Sequence, residues 1–269
     1  MLRFRKGSEE QFQLLPFVLD IRSDHPTLSV REMYFMLQPE WLGRDAFEQL
    51  CREWDLTVKK AHNYRRTTDS SGVIRFDNLI QNINLTGIDQ VWQSDITYFE
   101  INKKFYYLTF IIDAYSRRIL GHSVSYRLLT SHTTLPALEM AIQCRSNKKL
   151  PGLIFHSDGG GQYYADQFLQ LTKQYQITNS MCEFPWQNGK AERINGVIKN
   201  NYLIHRVINN FEDLVKEVDR SVTLYNTKKP HSRLYRMTPV AFENELIILQ
   251  AVNSGKLSHT LATAAVYHN

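Results

Sequence analysis

Apolar residues recur at helical spacing in the N-terminal part of the chain. Two groups follow the i, i+3, i+4, i+7 pattern of an amphipathic helix: Val30, Met33, Tyr34 and Leu37, and Phe47, Leu50, Cys51 and Trp54. They predict two short helices within a helical region at 9–58, joined by the connector QPEWLGRD. Such a pair is compatible with a helix-turn-helix, although most helical pairs only pack a core.

From Val91 onward the pattern changes to runs rich in β-branched and aromatic residues. VWQSDITYFE, KFYYLTFIIDA and RRILGHSVSY predict three strands of an antiparallel meander. SHTTLPALEMAIQCR predicts a helix with Ser131 as its N-cap. PGLIFHSD is continuously apolar before its last residues, which predicts a central fourth strand.

The remaining pattern completes an α/β arrangement. It predicts a helix in YADQFLQLTKQYQ, a short fifth strand in ITNSMCE, and helices in NGKAERINGVIKNNYLIHR and NFEDLVKEVDRSVTLYNT. This order favours a mixed sheet with helices on its faces. We therefore expect a helical domain at 1–66, a polar linker at 67–90, an α/β domain at 91–226 and a basic, helical extension at 227–269.

Composition narrows the class of protein without defining it. Hydrophobic residues make up 43% of the 269 positions, enough for a sizeable core, and the net charge of +5 is compatible with a polyanionic partner. Three widely separated cysteines form no zinc pattern or disulfide frame. The longest apolar run, FYYLTFII, is too short to span a membrane, and the N-terminus has no apolar signal core. These features predict a soluble protein of the reducing cytoplasm.

Three carboxylates are the candidate chemistry. Asp95 lies within the first predicted strand, Asp158 ends the fourth, and Glu192 lies on a helix, with 192 − 158 − 1 = 33 residues between the last two. Two carboxylates about 4 Å apart repel by about 4 kcal/mol at an effective dielectric near 20, a penalty that Mg²⁺ would remove. Each residue alone has an ordinary explanation: Asp158 as a strand end turned by glycines, and Glu192 as a solvated helix face.

Two other acids compete for this role. Asp113 ends a strand, but in IIDAYSRR we expect it to accept hydrogen bonds in the turn that follows. Glu183 precedes Pro185 and lies outside the predicted helix, which favours Glu192.

Taken together, the segments resemble a known family. WQSDITYF, HSDGGGQYY and QNGKAERINGVIKNNYL are similar to the three catalytic segments of the DDE integrase core of retroviral integrases and insertion-sequence transposases. The resemblance is greatest to the second-frame transposase of the IS3 family. It extends to IIDAYSRRILGHSVS, to YNTKKPHSRLYRMTPVAFE and, at the N-terminus, to HPTLSVREMYFML with GRDAFEQLCREWDL. The interval between Asp158 and Glu192 is slightly shorter than that family usually has.

The resemblance implies a fold and an activity. The fold would be a ribonuclease-H-like core, a mixed five-stranded sheet with helices on both faces, preceded by a small helix-turn-helix domain. The activity would be DNA cleavage and strand transfer at the ends of an insertion sequence, dependent on two Mg²⁺ or Mn²⁺ ions. Asp95 would bridge both ions, and Asp158 and Glu192 would each hold one. The alternatives are a structure-selective nuclease of the same fold and a DNA-binding regulator with an inactive core.

The expected partner is double-stranded DNA, both the terminal repeats and the target, bound by a nucleoid-associated multimer. A product of the element's upstream reading frame is a further expected partner. Basic side chains would hold phosphates. Near the carboxylates the expected contacts are Lys190, Arg193, Asn195, Lys199, Gln162 and Asn188, with pairing to a core acid as the alternative for Arg193. In the repeat-reading domain they are Arg44, Arg52, Lys59 and Lys60, although the last two also fit a solvated linker, and KKPHSRLYR adds a further basic patch.

Overall fold

The computed structural model describes residues 2–58 and 76–253, and these form two compact units. The first contains 2–58 with 199–207, and the second contains 76–198 with 208–253. Lys59 and Lys60 lie outside the described residues. In the described part of the chain, no helix is long and apolar enough to cross a membrane.

The first unit begins with three helices: α1 (Leu2–Asp24), α2 (Val30–Leu37) and α3 (Arg44–Glu53). Both predicted amphipathic helices are confirmed, and α1 begins well before the predicted helical region. Their hydrophobic core consists of the buried side chains Leu14, Val18, Leu28, Met33, Phe47, Leu50 and Cys51. The guanidinium of Arg22 donates to the carbonyl oxygens of Pro26, Leu28 and Leu56, at 3.0, 2.7 and 2.7 Å. This one side chain therefore supplies hydrogen-bond donors to three backbone carbonyl groups around the core.

A mixed five-stranded sheet forms the centre of the second unit. Its strands are β1 (Val91–Ile101), β2 (Lys104–Asp113), β3 (Ile119–Ser125), β4 (Ile154–Ser157) and β5 (Thr178–Met181). Their spatial order is β3-β2-β1-β4-β5. β1 pairs antiparallel with β2 and parallel with β4, and β4 pairs parallel with β5. The predicted five-stranded sheet is confirmed, and β1 and β4 are neighbours.

Five helices accompany this sheet: α4 (Thr134–Cys144), α5 (Asp166–Gln174), α6 (Gly189–Asn201), α7 (Phe211–Thr227) and α8 (Pro239–Asn253). α6 belongs to the second unit as far as Ile198. α4 lies directly on β3 at Gly121, where a Cβ atom would come within 2.0 Å of the carbonyl oxygen of Ala137. Only glycine allows this approach of helix to strand.

The prediction that Ser131 caps α4 is wrong. Ser131 lies inside a 3-10 turn at Thr130–His132, and α4 begins only at Thr134. The hydroxyl of Thr133 donates to the carbonyl of Leu129 at 2.7 Å, and that of Thr134 donates to the carbonyl of Gln162 at 2.9 Å. The start of α4 is therefore set by these contacts and not by a serine cap.

The described part of the polar segment, 76–90, runs against the sheet. The backbone N–H of Leu79 donates to the hydroxyl of Ser180 on β5 at 2.9 Å, and that hydroxyl donates to the carbonyl of Asp77 at 3.1 Å. The backbone N–H of Ile154 donates to the carbonyl of Gln90 at 3.0 Å. This part of the predicted linker thus lies beside the edge strand β5 and covers polar groups that an open edge would expose.

Candidate active site

Asp95 on β1 and Asp158 directly after β4 lie at the same level of the sheet. Gln93 on β1 pairs with His156 on β4, and each aspartate follows its strand's paired residue by two positions. Because side chains two residues apart on a strand share a face, the two carboxylates are directed to the same face of the sheet. The two strands are neighbours in the sheet.

The electrostatics of Asp95 show that these acids act on one another. Burial, together with the negative charges of Asp158 and Glu192, raises the pKa of Asp95 to about 7. Burial also raises the pKa of Asp158, while a hydrogen bond from the backbone N–H of Gly160 at 3.1 Å opposes that shift. The site concentrates negative charge where water is partly excluded, an expensive arrangement without a cation.

Gly160 leaves room beside the Asp158 carboxylate. A Cβ atom at this position would lie 3.0 Å from Asp158 Oδ1 and 3.3 Å from the Gln162 side chain. Its φ is not in the left-handed region. The glycine is therefore required for space and not for an unusual backbone conformation.

Three side-chain amide and ammonium groups attach α6 and the turn before it to the sheet. The amide of Asn188 donates to the carbonyl of Ser94 at 2.8 Å, and the amide of Asn195 donates to Asp95 Oδ2 at 2.8 Å. Lys190 Nζ donates to the carbonyl of Ala114 at 3.0 Å. Three apolar residues, Ala191, Ile194 and Ile198, form the buried stripe of this helix.

Glu192 lies on the first turn of α6 and is exposed, although its charge acts on Asp95. The rival acid Glu183 is also exposed and lies outside the helix. Within residues 2–58 and 76–253, no three His, Cys, Asp or Glu side chains are grouped closely enough to hold a metal ion unaided.

The donor set nevertheless fits a hard divalent cation. Asp95 and Asp158 supply carboxylate oxygens whose mutual repulsion a cation would relieve. The side-chain oxygen of Asn195, whose amide nitrogen contacts Asp95, is buried and accepts no hydrogen bond. Mg²⁺ is held by one or two carboxylates together with water and substrate phosphate oxygens, so a complete protein cage is not required.

Asp113 occupies the turn that the sequence predicted for it. Its Oδ1 accepts hydrogen bonds from the backbone N–H groups of Tyr115 and Ser116 at 2.9 and 2.7 Å, and its Oδ2 accepts from that of Asp89 at 2.7 Å. Burial raises the pKa of Asp113, and these backbone donors oppose the shift. The side chain is fully buried, with its oxygens used to close the turn between β2 and β3.

The other predicted contacts differ in their surroundings. Asn188, Asn195 and Lys199 are buried, and the first two use their amides for contacts within the protein. Gln162 is half-buried and donates to the carbonyl of Leu128 at 3.3 Å, whereas Arg193 is exposed. In the first unit, Arg44 is exposed and pairs with Asp45 at 2.7 Å, and Arg52 is exposed. Their contacts with DNA remain predictions.

Sequence reasoning missed one residue of this region. Arg117 lies in the turn that Asp113 closes, and burial together with the charges of Arg233 and Arg193 lowers its pKa. The only signal in the sequence was its place in the segment IIDAYSRRILG.

Sheet order, paired aspartates and a glutamate-bearing helix define the integrase-core class of protein. Two integrase core domain models match the chain, one at residues 86–184 and one at 173–239. The matched ranges include Asp95, Asp158 and Glu192.

Relatives narrow the class to a family. The IS600 insertion element 31 kDa protein of Shigella sonnei is 32% identical over 248 residues, which are 90% of this chain and 90% of that protein. Transposase InsF for insertion sequence IS3A of Escherichia coli K12 is 35% identical over 106 residues, 39% of this chain and 36% of that protein. The magnesium-bound catalytic core domain of HTLV-2 integrase is 22% identical with a TM-score of 0.45, over 58% of this chain and 96% of that domain. The chain belongs to the integrase-core transposases of insertion sequences, and is thus a polynucleotidyl transferase.

Proposed function

We propose that the chain cleaves the ends of its own insertion sequence and joins them to target DNA, with Asp95, Asp158 and Glu192 as the catalytic carboxylates. One observation carries the proposal. Asp95 on β1 and Asp158 directly after the adjacent β4 lie level in the sheet, and the charges of Asp158 and Glu192 act on Asp95. The three acids come from three different elements, and carboxylates that hold divalent cations are a common means of catalysing phosphoryl transfer.

The reaction has two balanced steps. In cleavage, the oxygen of water attacks phosphorus at the element's end, the bond from phosphorus to the 3′ oxygen breaks, and that oxygen takes up a proton to become a 3′-hydroxyl. In joining, this hydroxyl attacks a phosphorus of the target, one phosphodiester forms as another breaks, and the hydroxyl proton passes to solvent. Because the second step exchanges like bonds, it needs no nucleotide cofactor.

The side chains have separate tasks in this proposal. Asp95 and Asp158, with Glu192, would hold Mg²⁺ or Mn²⁺, and two ions are expected. Such ions would supply an electrophile at the attacked phosphate and would lower the pKa of the attacking hydroxyl or water. Asn195 orients the Asp95 carboxylate through its 2.8 Å hydrogen bond. Lys190 fixes the start of α6, where Glu192 lies, by its contact with Ala114.

DNA recognition would be divided between domains. We assign terminal-repeat recognition to the helical domain at 1–66, with Arg44 and Arg52 at exposed positions on α3 and Lys59 and Lys60 beyond it. The domain at 91–226 would perform the chemistry, followed by the basic extension at 227–269. Joining two ends calls for two active sites or one that acts twice, so we infer a multimer on DNA at the nucleoid, with an upstream-frame product as a further partner.

The test mixes the purified chain with Mg²⁺ or Mn²⁺ and a labelled duplex carrying the inverted repeat that flanks its coding sequence. Joined products are expected from the wild type, and none from Asp95→Asn or Asp158→Asn, while all three proteins bind the duplex. Asp166→Asn, an exposed aspartate on α5, is the matched control and should join ends as wild type does. Nicks without joining would support a nuclease, and binding without cleavage would support a regulator.

A further inference from the structure

Four cations of the second unit converge from three separate segments. We call them the basic cluster: Arg117 in the turn after β2, Lys190 and Arg193 on α6, and Arg233 in the 3-10 turn Ser232–Leu234. Lys190 reaches this turn directly, since its Nζ donates to the carbonyl of Ala114, three residues before Arg117. The charges of Arg193 and Arg233 both act on Arg117, and those of Arg117 and Arg233 act on Lys190.

Within the described residues, no carboxylate forms an ion pair with a member of this cluster. The neighbouring Arg118 and Arg145, in contrast, each form one within 4.0 Å. The acid that acts on Lys190 is Asp113, whose oxygens already accept three backbone hydrogen bonds. Like charges held together without a counter-ion are unfavourable unless an anion joins them.

The turn that carries Arg117 is fixed from both sides. Arg117 has a φ of 63°, a left-handed conformation uncommon for a residue with a side chain. Its neighbours Ser116 and Arg118 both donate to the buried carboxylate of Glu243 on α8, at 2.6 and 2.7 Å. Strained positions that their surroundings impose in this way are concentrated at functional sites. Glu243 therefore acts as a positioning residue for Arg117.

We propose that the basic cluster binds one backbone phosphate of the DNA substrate, beside the phosphate that is attacked at the carboxylates. Arginine and lysine are the side chains that neutralise DNA phosphates, and such contacts set the position of the duplex and not the sequence that is read. Arg117 does not belong to the contacts expected from the sequence pattern, and Arg233 was expected only as part of the basic patch KKPHSRLYR.

The distance between the cluster and the carboxylates fits a DNA strand. Lys190 and Asn195 are five residues apart on α6, so they are separated by about 7.5 Å along the helix at about 1.5 Å per residue. Asn195 contacts Asp95, and Lys190 contacts the turn of the cluster. A DNA strand rises about 3.4 Å per nucleotide along the duplex axis and also winds around that axis, so the two phosphates lie within about two nucleotides of each other. This position, but not the existence of the phosphate site, rests on the proposed function.

The first test measures binding of a labelled duplex of random sequence to the full chain in EDTA, by fluorescence anisotropy over a range of salt concentrations. Arg117→Gln and Arg233→Gln are each expected to weaken binding by about tenfold, because a hydrogen bond to a charged group is lost. The slope of log K against log salt should fall by up to about 0.9 for the lost phosphate contact. Lys104→Gln and Lys173→Gln remove exposed charges on β2 and α5 and should change neither quantity.

Two further variants separate charge loss from misfolding. Arg117→Lys keeps the charge and should recover most of the affinity, and the melting temperature of Arg233→Gln should equal that of the wild type. Wild-type affinity and slope in both glutamine variants would overturn the site. The site would also be overturned if Lys104→Gln and Lys173→Gln lost as much binding as Arg117→Gln and Arg233→Gln.

The second test places a single neutral methylphosphonate at successive positions of the element-end duplex. A substitution within about two nucleotides of the cleaved bond should weaken binding to wild type but not to Arg117→Gln. Equal losses in both proteins would overturn the assignment of that phosphate to Arg117. If the wild type binds with an Arg117-dependent salt slope but never cuts DNA, the proposed function fails and the phosphate site stands.

Discussion

Replacement of Asp95 by asparagine is expected to stabilise the metal-free protein and to abolish DNA cleavage. Burial and the charges of Asp158 and Glu192 raise the pKa of Asp95 to about 7, so its ionised form is disfavoured in the folded state. Asparagine keeps an oxygen that can accept the 2.8 Å hydrogen bond from Asn195 but carries no charge. The same property that makes Asp95 a candidate ligand thus lowers stability when no cation is bound.

The size of the expected increase in stability follows from the linkage between protonation of Asp95 and folding. The pKa rises from 3.8 to about 7, about 3 units, and at about 1.4 kcal/mol per unit the upper limit is about 4 kcal/mol. Because the folded-state pKa is the higher one, the wild type loses this stability as pH rises from about 4 to about 7 and stays at the lower value above that. Because solvent reaches part of the Asp95 side chain, we take about half of this upper limit, or about 2 kcal/mol. This corresponds to a Tm about 4–8 °C higher for Asp95→Asn than for the wild type.

The assay compares the Tm of wild type and Asp95→Asn in EDTA at pH 5 and pH 8. The variant should be more stable at pH 8 by the amount given above, with a smaller difference at pH 5. Addition of Mg²⁺ or Mn²⁺ should raise the Tm of the wild type and have little effect on the variant. Asp166→Asn is the control for loss of an exposed aspartate. A variant less stable than wild type at pH 8 would refute the electrostatic reasoning, and cleavage by the variant would refute the catalytic role.

Three further outcomes test the structure around the site. Glu243→Gln should cost about 3–5 kcal/mol in chemical unfolding at pH 7, because the partly buried Arg118 and Arg145 lose the buried carboxylate with which they pair. Burial raises the pKa of Glu243, but hydrogen bonds from Arg145 outweigh that effect and lower it. The greater stability of the wild type should therefore be present at pH values above the pKa of Glu243 in the unfolded chain. It should disappear as pH falls through the pKa of Glu243 in the folded protein. Asp113→Asn should lower Tm, since its amide would face a backbone donor. Asp158→Asn should instead abolish cleavage in a folded protein. Lost cleavage in a stable Asp113→Asn, together with lowered Tm in an active Asp158→Asn, would exchange their roles. Gly121→Ala should cost about 1–3 kcal/mol or more through collision with α4, measured by thermal unfolding, and a wild-type Tm would contradict that close packing.

The sheet and its two aspartates could be predicted because they depend on local pattern. Strand-like runs in the order three strands, helix, strand place Asp95 and Asp158 at the centre of a mixed sheet. The turn role of Asp113 was likewise predictable, since an aspartate before a tight turn has nearby backbone donors. The start of α4 was not, because Thr134 meets the carbonyl of Gln162, a residue distant in sequence.

The network that supports the turn after β2 could not be read from the sequence. Glu243 lies in MTPVAFENEL, where nothing distinguishes it from the half-buried Glu245 two residues later. Its carboxylate becomes the acceptor for Ser116, Arg118 and Arg145 only when α8 packs on the second unit. Which of several acids is buried is a property of tertiary packing, and a periodicity argument fixes a helix but not its neighbours.

Despite the short interval between Asp158 and Glu192, the charge of Glu192 acts on Asp95, and α6 is positioned by its own contacts. Asn188 holds the turn before the helix to β1, Lys190 holds its first turn to the segment after β2, and Asn195 meets Asp95 one turn beyond Glu192. With both flanks of Glu192 attached to the sheet, a residue lost from the preceding loop changes the path of that loop and not the register of the helix. Loops tolerate such changes, whereas a shift of α6 by one residue would rotate Glu192 by about 100° away from Asp95. The side chains that anchor α6 therefore decide whether Glu192 serves the site, and the loop length does not.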